Sequence, residues 1–106
     1  MFEKDLSLTL LYDLYAPLLS QKKREVFEAY YLSDLSLSEI SEETGTSRQA
    51  VRDLITRTAA ELREWEQGLE LLKKRNRLTA LCDRLSFEVL ERAEREAVIE
   101  EIREMI

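Results

Sequence analysis

The sequence has no histidine, one cysteine, one proline and two glycines among its 106 residues. Each scarcity excludes something. Without histidine there is no imidazole to move protons near neutral pH, no Cys/His zinc site and no Ser-His or Cys-His nucleophile. Cys82 stands alone, so an internal disulfide is excluded. A glycine-rich phosphate loop is missing, and no apolar run approaches the roughly 20 residues that a bilayer-spanning helix needs. Neighbouring acids such as Glu42 with Glu43, and Glu100 with Glu101, point in different directions on a helix and read as solvated charges rather than a catalytic pair. Together these absences point to a non-enzyme with no catalytic residues, no metal site and no cofactor. The N-terminal MFEKD lacks the basic-then-apolar pattern of a signal peptide, so the expected location is cytoplasmic, without membrane insertion.

What remains is a helix-forming sequence. Apolar residues make up 44% and charged residues 36%, enough for a small core under heavily solvated helix faces. Few glycines or prolines interrupt the Leu-, Glu-, Arg- and Lys-rich runs, which predicts an all-α protein with long helices. The net charge of -6 argues against a nucleic-acid partner only if it is evenly spread. Residues 83–106 hold eight acids and four bases, so most of the excess falls in the last quarter. Local patches outweigh the total, because fields decay over a Debye length of about 10 Å at ordinary salt.

The organising stretch is Leu37 to Ile55, LSEISEETGTSRQAVRDLI, whose spacing is that of a helix-turn-helix. Ser36 and Glu39 have the separation of a capping box, predicting a helix over Leu37–Thr44. Gly45 follows where a left-handed residue would end it, and Ser47 is placed to cap a second helix with Val51, Leu54 and Ile55 on its inner face. Ile40 and the small Ser41 are expected under the turn. Arg48, Gln49, Arg52 and Thr56 then face outward. Arginine and glutamine are the side chains that read guanine and adenine edges, while Thr46 and Ser47 could hold a phosphate at the helix N-terminus. Two bases in the first turns of a helix sit at the unfavourable end of its dipole, which either invites an anionic partner or calls for pairing with Glu39, Glu42 or Glu43. An ordinary helical hairpin is the alternative to the motif.

Upstream, Leu6, Leu10, Leu11 and Leu14 mark an amphipathic helix from about Asp5 to Tyr15, ending before Pro17. Ser20 is expected to cap a helix from Gln21 to about Leu32, with Val26, Phe27, Tyr30 and Tyr31 as core rather than a base-stacking platform. Lys22 and Lys23 at its start are candidate phosphate contacts. Downstream, the second motif helix is expected to run on without a breaker through Thr58, Leu62, Trp65, Leu69 and Leu72, with Gly68 the weak point at which it could bend or end. The division predicted is a helix-turn-helix domain over 1–66 and a helical extension over 67–106. In that extension Lys73, Lys74, Arg75 and Arg77 either bind phosphates or pair with the acidic last helix, Ser86 is a possible cap, and Cys82 is expected in the core. Its apolar stripe of Leu78, Leu81, Leu85, Leu90, Val98, Ile102 and Met105 needs a partner, and a homodimer is the preferred expectation.

The run YYLSDLSLSEISEE, then TGTSRQAV and ITRT before a long charged helix, resembles the YlxM family of small bacterial proteins. The resemblance implies a bundle like region four of sigma factors, and a regulatory role in the signal recognition particle pathway, whose GTPase is typically encoded beside family members. Implied partners are DNA or RNA, including the particle's RNA, or the GTPase itself; a protein-interaction module docking on the particle is the alternative. Ser47, Arg48, Gln49 and Val51 would open the recognition helix. Ser41, Thr44 and Thr46 stand where the family pattern is more apolar, and Arg52 and Leu54 also depart from it, implying a looser motif core and an altered reading surface.

Overall fold

The computed structural model describes residues 4–106; residues 1–3, part of the stretch read for a signal peptide, lie outside the described residues. The described chain is helical, with no strand among the described residues. Helix α1 spans Leu8–Tyr15, a 3₁₀ turn Ala16–Leu18, α2 Gln21–Tyr31, α3 Leu37–Thr44, α4 Arg48–Leu69, α5 Leu71–Phe87 and α6 Arg92–Glu104. Contacts divide the chain into two units, Met1–Leu69 and Glu70–Ile106.

Asp5 delays the first helix. Its carboxylate accepts from the Ser7 amide at 3.1 Å and the Ser7 hydroxyl at 2.6 Å, so a turn occupies residues that periodicity assigned to helix. These bonds, with Arg63 of α4 donating at 3.0 Å, hold the Asp5 carboxyl below its ordinary value. The buried face of α1 is Leu8, Leu11, Tyr12 and Tyr15, whereas Leu6 and Leu10 are exposed, a correction to the predicted face. Two tyrosines replace two leucines. Their rings fill more volume while their hydroxyls reach polar partners at the rim: Tyr12 donates to Glu28 at 2.6 Å and Tyr15 to Glu66 at 2.7 Å. Burial, then the Glu28 hydrogen bond, raises the Tyr12 phenol well above its ordinary value, so it stays neutral.

The 3₁₀ turn carries Pro17 near its start and buries Leu19, while Leu18 stays exposed. Ser20 then accepts from the Lys23 amide and opens α2. Val26, Phe27 and Tyr30 point inward, with Phe27 stacked between Tyr12 at 4.6 Å and Tyr31 at 4.4 Å. These aromatics are core, as their spacing predicts. Across them lies α4, whose Val51, Ile55, Thr58, Ala59 and Leu62 form one continuous buried stripe. Thr58 places its hydroxyl on the Leu54 carbonyl at 2.8 Å, which satisfies a polar group inside the stripe.

In the second unit α5 and α6 form a hairpin around Leu81 and Val98. Arg77 grips Glu101 with both forks, at 2.5 and 2.8 Å, which lowers the Glu101 pKa and raises that of Arg77. The basic run therefore pairs with the acidic last helix at this position, while Lys73 pairs with Glu70. Two expectations fail here. Cys82 is exposed, because one partner helix covers only one side of α5. Ser86 lies inside the last turn of α5; the cap of α6 is Glu91, in a capping box with Glu94.

Candidate nucleic-acid interface

The motif forms as its caps dictate. Ser36 accepts from the Glu39 amide at 3.0 Å and Glu39 returns a carboxylate to the Ser36 amide at 3.1 Å. Gly45 takes φ +69°, a left-handed conformation in which an added Cβ would meet no neighbour but would strain the backbone. Ser47 then accepts from the Ala50 amide at 3.0 Å and starts α4. Beneath the turn, Ile40, Val51 and Ile55 pack with Val26 and Tyr30, all buried.

The polar residues under the turn are all hydrogen-bonded. Ser41 gives its hydroxyl proton to the Thr46 carbonyl, and Thr44 gives its own to the Ile40 carbonyl at 2.8 Å. With the Thr44 proton so used, the 2.8 Å contact between the Thr44 and Thr46 hydroxyls has Thr46 as donor. These three side chains close the turn with hydrogen bonds where apolar residues would close it by packing.

Between the N-terminal ends of α3 and α4 lies an open concavity of about 650 Å³, lined by Ser36, Ser38, Ser47, Arg48, Gln49 and Arg52. Arg48 is exposed and makes no ion pair among the described residues; its expected pairing with the α3 carboxylates does not form. Glu39 is already committed to the capping box. The concavity thus combines an unpaired guanidinium with two serine hydroxyls at helix starts, a donor-rich surface suited to phosphate oxygens or base edges. Gln49 is held differently. Its amide gives one N–H to Asp53 at 2.8 Å, which fixes the side chain's direction and leaves its carbonyl oxygen and second N–H available.

Of the eight residues singled out from the sequence, Ser47, Arg48, Gln49 and Arg52 come together here. Thr56 lies exposed on the same outer side of α4, its hydroxyl on the Arg52 carbonyl at 2.9 Å. Thr46 and Lys22 line a second, smaller cavity of about 150 Å³ together with Arg57. Lys23 is engaged elsewhere, in an ion pair with Glu61 of α4. Sequence reasoning passed over Ser38, Asp53 and Arg57. The four-residue step from Gln49 to Asp53 was the available signal for one of them, since such pairs meet on a helix face.

Charge divides differently from the sequence expectation. The first unit holds thirteen acids and eight bases, and the second nine acids and eight bases, so the excess belongs to the motif-bearing unit. The dense basic run from Lys73 lies in the second unit and offsets its acidic last helix.

Comparison with known proteins agrees with this geometry. Residues 2–102 match a family described as "Putative helix-turn-helix protein, YlxM / p13 like". A UPF0122 protein of Symbiobacterium thermophilum is 46% identical over 87 residues, covering 82% of this chain and 80% of that relative. UPF0122 proteins of Bacillus cereus strain AH187 and Bacillus anthracis strain A0248 are each 45% identical over 109 aligned residues, spanning all of this chain and 94% of theirs. The matches to the two Bacillus relatives span the whole chain and so include the motif residues described above. With a family model across nearly its whole length and relatives this similar, the chain belongs to the UPF0122 family of YlxM/p13-like helix-turn-helix proteins.

Proposed function

We propose that the first unit binds nucleic acid through the concavity between α3 and α4, as a non-catalytic regulator in the signal recognition particle pathway. The observation that carries this reading is Arg48, exposed and unpaired beside the hydroxyls of Ser36, Ser38 and Ser47. Arg48 and Arg52 supply charge, Ser47 fixes the helix start, and Gln49 contacts a base through its carbonyl or after releasing Asp53. The family resemblance supports the pathway, with the particle's RNA or a DNA site as target. A homodimer through the second unit is supported by Phe87, Val89 and Ile106, all strongly exposed apolar residues.

A second reading is favoured by the same exposed side chains and by the acid excess of the first unit: a module that docks on a protein of the particle, such as its GTPase. Cross-linking in the host cell, followed by sequencing of recovered nucleic acid, separates the two. Enrichment of a duplex DNA site or of the particle's RNA, lost in an Arg48→Glu variant of unchanged helicity, supports nucleic-acid binding. Recovery no greater than that of the Arg48→Glu control sinks it and leaves protein docking.

A further inference from the structure

Left-handed backbone occurs at three places among the described residues: Asp34 at φ +56°, Gly45 at φ +69° and Glu70 at φ +55°. Two of them have a local reason. Glycine enters this region without a Cβ clash, and aspartate tolerates it better than most residues. Asp34 also lies in the loop before α3, where Lys4 holds its carboxylate at 2.6 Å. Glu70 has neither reason. Glutamate is a strong helix former, yet here it is the single residue between the end of α4 at Leu69 and the start of α5 at Leu71. The sequence reads as unbroken helix through Leu72 with Gly68 as its weak point, but Gly68, which enters the left-handed region freely, stays helical inside α4. The break falls two residues later, where a Cβ opposes it.

The interactions of Glu70 itself do not select that conformation. Its side chain makes no cap hydrogen bond to α5. Its carboxylate pairs with Lys73 at 3.1 Å, three residues on, a spacing that a continuous helix also brings together. Its carbonyl accepts from the Lys74 amide at 2.9 Å, four residues on, as it does inside any helix. Both interactions survive rotation of Glu70 into right-handed backbone, and neither buried core includes this residue. The break also coincides with the boundary between the two units. Local sequence and local backbone thus disagree at the residue that joins them, and such outliers gather at switch positions.

We propose that Glu70 is a two-state joint: left-handed it ends α4, and right-handed it fuses α4 and α5 into one helix from Arg48 to Phe87, about 60 Å long at about 1.5 Å per residue. In the fused state Leu69 and Leu72 follow Leu62 and Trp65 at seven-residue steps, which extends the apolar face of α4 past the end of the first unit. The same rotation sets how far the exposed Phe87 at the end of α5 stands from the motif. A ligand that engages both units selects the state that matches its span, and the joint thereby couples what the motif holds to what the second unit holds. This coupling does not depend on the chemistry of either ligand.

The test places nitroxide labels on the native Cys82 and on Ala60→Cys, both exposed, in the full-length chain and reads their separation by double electron–electron resonance. Dilution with unlabelled protein keeps the distances within one molecule. On a continuous helix the two labels share a side and stand about 33 Å apart, and a break at Glu70 shortens that distance. Glu70→Ile, whose branched Cβ resists left-handed backbone, should enrich the long distance, and Glu70→Gly should deplete it. The ratio of the two populations should differ roughly tenfold or more between these variants. Gly68→Ala is helical in both states and should move the ratio little. A ratio that follows Gly68→Ala as strongly as Glu70→Gly assigns the break to helix propensity at large and overturns the role of Glu70. One distance shared by Glu70→Ile and Glu70→Gly overturns the joint itself.

Discussion

The two units solve the same problem, how to hold helices together, with different means. Among the described residues thirteen apolar side chains are buried in the first unit, whereas the second has Leu81 and Val98. It adds the Arg77–Glu101 fork, an exposed pair, and it leaves Phe87, Val89 and Ile106 in solvent. A first unit with a self-sufficient core can present a fixed surface. The second keeps large apolar side chains in solvent.

The largest effect that would break this contrast comes from the cores. Phe27→Ala should cost about 3–5 kcal/mol and collapse the first unit. The tryptophan and all four tyrosines lie in that unit, so near-UV circular dichroism follows its packing while far-UV follows both. In the unaltered chain the far-UV melt should begin before the near-UV melt, and Leu81→Ala should widen the gap. Coincident melts in both proteins would show one cooperative body and end the comparison.

The two glycines sharpen it next. Gly45→Ala forces a side chain into the left-handed region and should destabilise the first unit by about 1–2 kcal/mol, because only backbone strain opposes it. Gly68 lies in α4 with no positive φ and no neighbour near an added Cβ, so Gly68→Ala should stabilise by about 0.5–1 kcal/mol. Denaturant midpoints of the two variants should move in opposite directions. Shifts of the same sign would mean that Gly68 does more than dilute helix propensity.

Acid gives the smallest effect. Arg77 holds the Glu101 pKa below the ordinary glutamate value of 4.5, so the pair's contribution is present above that value and is lost as pH falls through the lower folded value. Far-UV signal should decline in that window, and Glu101→Gln should remove much of the decline. Asp5 and Asp34 are lowered by their partners in the same direction, but there a packed core persists after their protonation. The near-UV signal should therefore change less than the far-UV signal.

Local chemistry was legible in the sequence where one residue decides a conformation. Ser20, Ser36 with Glu39, Gly45 and Ser47 act through their own backbone neighbourhoods, and each sits where its type requires. Burial was harder, because it depends on what lies opposite. The leucine pattern before Pro17 offers two faces, and the tyrosines that chose between them do so by reaching Glu28 and Glu66 from other helices. Cys82 adjoins the buried Leu81, yet one residue of helix rotation turns it off the side that α6 covers. Ser47, Arg48, Gln49 and Arg52, which line the concavity, were singled out through the motif, while Arg57 was passed over because it lines a cavity that exists only where α2 brings Lys22 beside α4.

The length of α4 has a thermodynamic consequence. Its first turns carry Arg48 and Gln49, and its later turns are fastened by Glu61 to Lys23, by Arg63 to Asp5 and by Glu66 to Tyr15. The N-terminal end of α4 is thus already ordered, and association at the proposed interface would have little conformational entropy left to lose. Calorimetry of binding by the first unit should then give a heat-capacity change set by the contact area alone, without the large extra term that accompanies folding on a target.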